Sequence, residues 1–146
     1  MAKRILGVVA GLAVWVAVVT VAGVIMRGAW REYASVADAM TFTLPMMMAR
    51  LSIGVLATIA AGALAAYVAR STLSALTTGL VLLVLFIPQH IMLWTKFPVW
   101  YHLTFLLSLV PLTYLGGQIA SRWHTVAAPR SEPTMPGAHR SSRGQA

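Results

Sequence analysis

Three ionisable side chains, Arg50, His90 and His102, interrupt long runs of apolar residues. Such groups are costly inside a membrane and face a bundle interior or water more often than lipid. Each histidine stands six residues from Lys96 in the sequence. With Lys96 at the tip of a helical hairpin, both imidazoles reach a similar depth. That depth is roughly 6 Å inside the helix ends, at a rise of about 1.5 Å per residue. Arg50 follows Pro45 by five residues and belongs to the same end. Gln89, Tyr101 and Thr104 fall in this layer too, as do Met46, Met47, Met48 and Met92.

Three kinds of chemistry suit these residue types. Imidazoles on facing helices ligate haem iron or copper, and thioethers suit Cu(I), so His90 and His102 are candidate cofactor ligands. Arg50, with Gln89 and Tyr101, is a candidate site for an anionic group such as a lipid head, for a quinone, or for a proton path. The third reading is structural, and it is the one expected. Arg50 extends its guanidinium to the headgroups or pairs with Glu32 or Asp38, while Trp94, Phe97, Trp100 and Tyr101 form an interfacial aromatic belt. No cofactor is therefore expected, with haem or copper the alternative. Met46 to Met48 point in three directions around a helix and read as apolar filling. Trp15, in the middle of a span, reads as a packing residue.

The elements that position this layer are four apolar stretches, at about 5–26, 45–69, 72–94 and 98–120. Each matches the ~20 residues a helix needs to cross a bilayer's hydrocarbon core. The chain is 59% hydrophobic and 10% charged, with a mean hydropathy of +0.79, far from an ordinary soluble domain. Spans must satisfy their own backbone, as helices or as closed barrels. Barrel strands alternate polar and apolar residues, whereas 80–87 is apolar throughout, so the spans are helices. The expected fold is all-α: a four-span antiparallel transmembrane bundle over 1–122, then a disordered basic cytoplasmic tail over 123–146, rich in Pro, Ser, Gly and Arg. Lys3 and Arg4 precede the first stretch as in a secretory signal, but that stretch is long and its small-residue site weak, so an uncleaved span is expected.

Composition excludes several classes. The absence of cysteine removes disulfides, thiolate metal sites and thiol nucleophiles. The net charge of +8 is scattered between spans and along the tail, which suits anionic lipid rather than nucleic acid. All three acids, Glu32, Asp38 and Glu132, lie in links or tail, so the membrane-embedded carboxylate of small four-span drug exporters is missing. No carboxylate pair, nucleophile elbow or close metal-binding pair marks an enzyme. The expectation is a non-enzymatic accessory or structural subunit or scaffold in a multi-pass membrane setting, as a homodimer or within a larger membrane complex.

Basic residues orient the bundle. Lys3, Arg4, Arg70, Arg122, Arg130, Arg140 and Arg143 share one side, against Arg27, Arg31 and Lys96 on the other. This predicts both termini in the cytoplasm, and the Ala-, Val-, Leu- and Gly-rich composition suits a bacterial cytoplasmic membrane. Short links around 70–71 and 95–97 force antiparallel neighbours. The longer link, 27–44, carries Trp30, Tyr33 and Phe42 and is expected to rest in the interface. Gly54, Thr58, Gly62 and Ala66 recur every fourth residue, a stripe that lets helices approach closely within the bundle or in a homodimer; the bundle is favoured. Pro88 and Pro111 are expected to bend their helices.

Overall fold

The computed structural model describes the backbone of residues 1–126 and the side chains of residues 1–122; the expected disordered tail lies, beyond Val126, outside the described residues. The fold is an all-α four-helix bundle: α1 (Ala2–Ala29), a short α2 (Arg31–Val36), α3 (Leu44–Ala69), α4 (Thr72–Met92) and α5 (Val99–Val126). α1, α3, α4 and α5 are each long and apolar enough to cross a membrane, and the chain is a multi-pass membrane protein. Against the sequence expectation, α4 ends two residues early, at Met92, and α5 runs past residue 120 to Val126. Both α4 and α5 continue as helices through Pro88 and Pro111.

α3 is the hub, packing against α1, α4 and α5, while α4 also meets α1 and α5. The small-residue stripe explains that position. Gly54, Thr58, Gly62 and Ala66 are all buried within the bundle, so the stripe packs intramolecularly. A Cβ added at Gly62 would collide with the Thr113 backbone, and one at Gly116 with the Ile59 carbonyl. At these two positions α3 and α5 approach nearer than any L side chain allows. α1 docks on α3 in the same way, with Gly7 and Gly11 against the carbonyls of Ala65 and Ala61. Across the same interface Trp15 Nε1 donates to Thr58 Oγ1 at 3.1 Å. Trp15 therefore packs, as expected, and adds an interhelical hydrogen bond.

Two buried threonine hydroxyls are satisfied on their own helices, whereas Ser74 Oγ is buried without a partner. Thr78 donates to the Ser74 carbonyl at 2.8 Å, and Thr113 to those of Leu109 and Val110 at 3.0 and 2.9 Å. The outward faces carry Ile5, Val16, Ile25, Leu56, Val84 and Leu107, all exposed. In a soluble domain this would be an aggregation surface; around a bundle of spanning helices it is the face for lipid. The α3–α4 turn is closed by Arg70 in the left-handed conformation, φ 52°, with the Ser71 amide donating back to the Ala66 carbonyl at 3.2 Å.

Candidate functional site

The link between α1 and α3 is where the chain departs most from a plain bundle. α2 folds back over the end of the helices, burying Tyr33 and Ala37 against Met46. Tyr33 stacks on Phe42 with ring centroids 5.2 Å apart, and Phe42 on Phe97 at 5.9 Å. This aromatic row roofs the polar layer. It also changes the role of Arg50, whose Nη1 donates to the Tyr33 hydroxyl at 2.7 Å and whose guanidinium carbon sits 4.7 Å from the Phe42 ring centroid. The side chain is held under the roof rather than extended to headgroups. Neither expected carboxylate pairs with it: Asp38 takes Arg27 at 3.1 Å, and Glu32 is exposed on α2.

The histidines do converge. Their ring centroids are 5.1 Å apart, edge to face, at an interplanar angle of 81°. His90 is 7% exposed and His102 fully buried. Depth is not the cause, since His90 lies two residues before the end of α4 and His102 three residues into α5. Rings from the hairpin and the bundle enclose them instead. Trp94 stacks on His102 at 4.9 Å, Phe105 stacks on His90 at 4.8 Å, and Phe97 meets His102 edge-on at 5.9 Å. Pro98 helps to set this turn, because the residue before a proline is driven to extended backbone. The expected aromatic belt is thus split. Phe97 and Tyr101 point inward and are buried, while Trp94 and Trp100 stay exposed.

These residues border one cavity of about 560 Å³, lined by Arg50, Gln89, His90, Tyr101 and His102 at its polar end. Trp15 and Phe86, whose ring centroids are 4.8 Å apart, line its apolar part together with Val19 and Leu85. α1 contributes Trp15, Val19, Gly23 and Met26, one face of that helix, and Arg27 at its end. The volume is in the range of small-molecule sites, which combine apolar walls with a few placed polar groups. Thr104 is exposed and takes no part. The methionine run divides as a helix requires: Met46 is buried under α2, and Met48 is exposed.

Hydrogen bonding sorts the polar groups. His90 Nδ1 lies 3.0 Å from the Phe86 carbonyl; a carbonyl only accepts, so this nitrogen carries the proton, and in a neutral ring Nε2 keeps a lone pair. Arg50 Nε and both ring nitrogens of His102 are buried without a hydrogen-bond partner. Buried polar atoms are nearly always paired, so such atoms beside a cavity call for a reason. As for a metal, the described residues hold no group of three or more His, Cys, Asp or Glu side chains able to share an ion. Imidazole is a ligand type for both Cu(I) and haem iron, but rings packed edge to face at 5.1 Å leave no gap between them for either as they stand.

Sequence reasoning placed Arg50, His90 and His102 in one layer but missed Tyr33 and Phe42 as its roof. The signal was the density of aromatics in the 27–44 link, read as an interfacial anchor. Searches against family models, curated proteins and solved structures each find no match to this chain, so the reading of the site rests on its geometry.

Proposed function

We propose that this protein is a non-enzymatic membrane protein that holds a small amphiphile, a lipid or a quinone-like molecule, in the cavity between α1 and α4. The observation that carries the reading is the set of unpartnered buried polar atoms on Arg50 and His102, beside a cavity that is polar at one end and apolar around Trp15, Val19, Leu85 and Phe86. An accessory or scaffold subunit with a purely structural polar layer would have those groups paired. An accessory role is compatible with the pocket, with the bound molecule serving a partner subunit or a second copy of the chain.

Gly23 supplies the test. It lines the cavity, and a Cβ there meets nothing within 4 Å, so Gly23→Phe fills the space without entering a helix contact. Small molecules extracted from protein purified in mild detergent are compared between wild type and Gly23→Phe. A molecule near one-to-one in wild type and depleted in the variant is expected; equal recovery from both would end the proposal. The proximity of two imidazoles supports a second reading, a Cu(I) site at His90 and His102 formed when the rings turn apart. Elemental analysis of the same preparations decides it. Near-stoichiometric copper lost in both His90→Ala and His102→Ala would replace the amphiphile with the metal.

A further inference from the structure

We infer that the head of the bound molecule is an anion of the phosphate type, received by Arg50 and His102; this rests on the amphiphile reading above and names the class of its ligand. Arg50 is a guanidinium at membrane depth, and guanidinium stays protonated in proteins. The described carboxylates are Glu32 and Asp38. Asp38 is engaged by Arg27 at 3.1 Å, and neither acid lines the cavity. What faces Arg50 is the Tyr33 hydroxyl at 2.7 Å, the Tyr101 hydroxyl and the face of Phe42. All three orient a guanidinium, and as neutral groups none supplies a negative charge. A half-buried cation whose Nε is fully buried and which has no anion beside it is a poor structural element but a ready receptor for one.

The unpartnered atoms agree. Arg50 Nε is a donor, and His102 presents a donor in either neutral tautomer and two donors when protonated. His90 is set apart from this grip, because its Nδ1 proton goes to the Phe86 carbonyl and Nε2 is left as an acceptor. The polar end therefore gathers donors on Arg50 and His102. The far end, at Trp15, Val19 and Phe86, has room only for an apolar body. An anionic head with an acyl chain matches both ends. Free inorganic phosphate shares the head chemistry and lacks the chain.

The experiment is native mass spectrometry of the full chain in detergent, titrated with 1-oleoyl lysophosphatidate, 1-oleoylglycerol and inorganic phosphate. The two lipids share chain and glycerol and differ in the phosphate. Wild type should take lysophosphatidate at least roughly thirtyfold more tightly than oleoylglycerol, the scale of one buried charged contact. Arg50→Gln should erase that preference while keeping oleoylglycerol binding, Arg50→Lys should keep most of it, and Gly23→Phe should lose both lipids. Equal wild-type affinities, both lost in Gly23→Phe, would overturn the anionic head and leave the amphiphile pocket standing. No binding of either lipid, or binding untouched by Gly23→Phe, would overturn both readings. Inorganic phosphate that binds and displaces lysophosphatidate would support the anion and assign it to the free ion. Should Arg50→Gln fail to fold, the wild-type comparison of the two lipids decides alone.

Discussion

At the scale of single residues, the same amino acid plays opposite parts in different places. Gly62 and Gly116 are glycines because backbone from the facing helix occupies the space a Cβ would need. Gly62→Ala or Gly116→Ala must push α3 and α5 apart, and overpacking of this kind costs about 1–3 kcal/mol. Gly23→Ala meets nothing within 4 Å and gains helix propensity of up to about 1 kcal/mol. Thermal unfolding in a fixed detergent should therefore lower the midpoint for the first two variants and leave it equal or higher for the third. Trp15 is the intermediate case. Trp15→Phe keeps most of the ring but leaves Thr58 Oγ1 without its donor, and interhelical hydrogen bonds in membranes average about 0.6 kcal/mol. A small drop in midpoint is expected, well under that of Gly62→Ala. A drop as large as the glycine variant's would mean that the indole is chiefly a packing element of the α1–α3 contact and that the hydrogen bond is secondary.

At the scale of elements, the four spans were legible because length and hydropathy alone specify them. The α3 stripe was legible because small residues every fourth position must share a face. What could not be read was which way an aromatic ring turns. Phe97 and Trp100 stand three residues apart with equal claims to an interface belt, yet one is buried and the other exposed. The difference arises from α2 folding back, a long-range event with no local periodicity. The same event converted Arg50 from an expected headgroup anchor into a roofed guanidinium. Turn chemistry offers a prediction of its own. Arg70 holds φ 52° at the C-cap of α3, a conformation that costs a residue with a Cβ about 1 kcal/mol relative to glycine. Arg70→Gly should raise the unfolding midpoint, and Arg70→Val should lower it. The natural arginine is then explained by its charge at the end of the bundle rather than by the turn.

At the scale of the whole molecule, charge at the two ends sets the expected leaflet for the cavity. The polar end of the cavity shares its side with Arg27, Arg31 and Lys96, and the opposite end bears Lys3, Arg4, Arg70 and Arg122. Lys and Arg near span ends favour the cytoplasm. The pocket end, with three such residues against four, is expected on the outside on that ground, and in a bacterial cytoplasmic membrane it would draw its ligand from the outer leaflet. The absence of cysteine makes the assignment directly measurable. Lys96→Cys places a single thiol on the exposed α4–α5 turn beside the pocket, and Ser71→Cys places one on the α3–α4 turn at the other end. A membrane-impermeant maleimide added to intact cells should label Lys96→Cys and leave Ser71→Cys unlabelled until the membrane is opened. The reverse pattern would invert the bundle and present the pocket end to the cytoplasm. Labelling of both would indicate two orientations in one membrane, the outcome that a near balance of basic residues between the described ends permits.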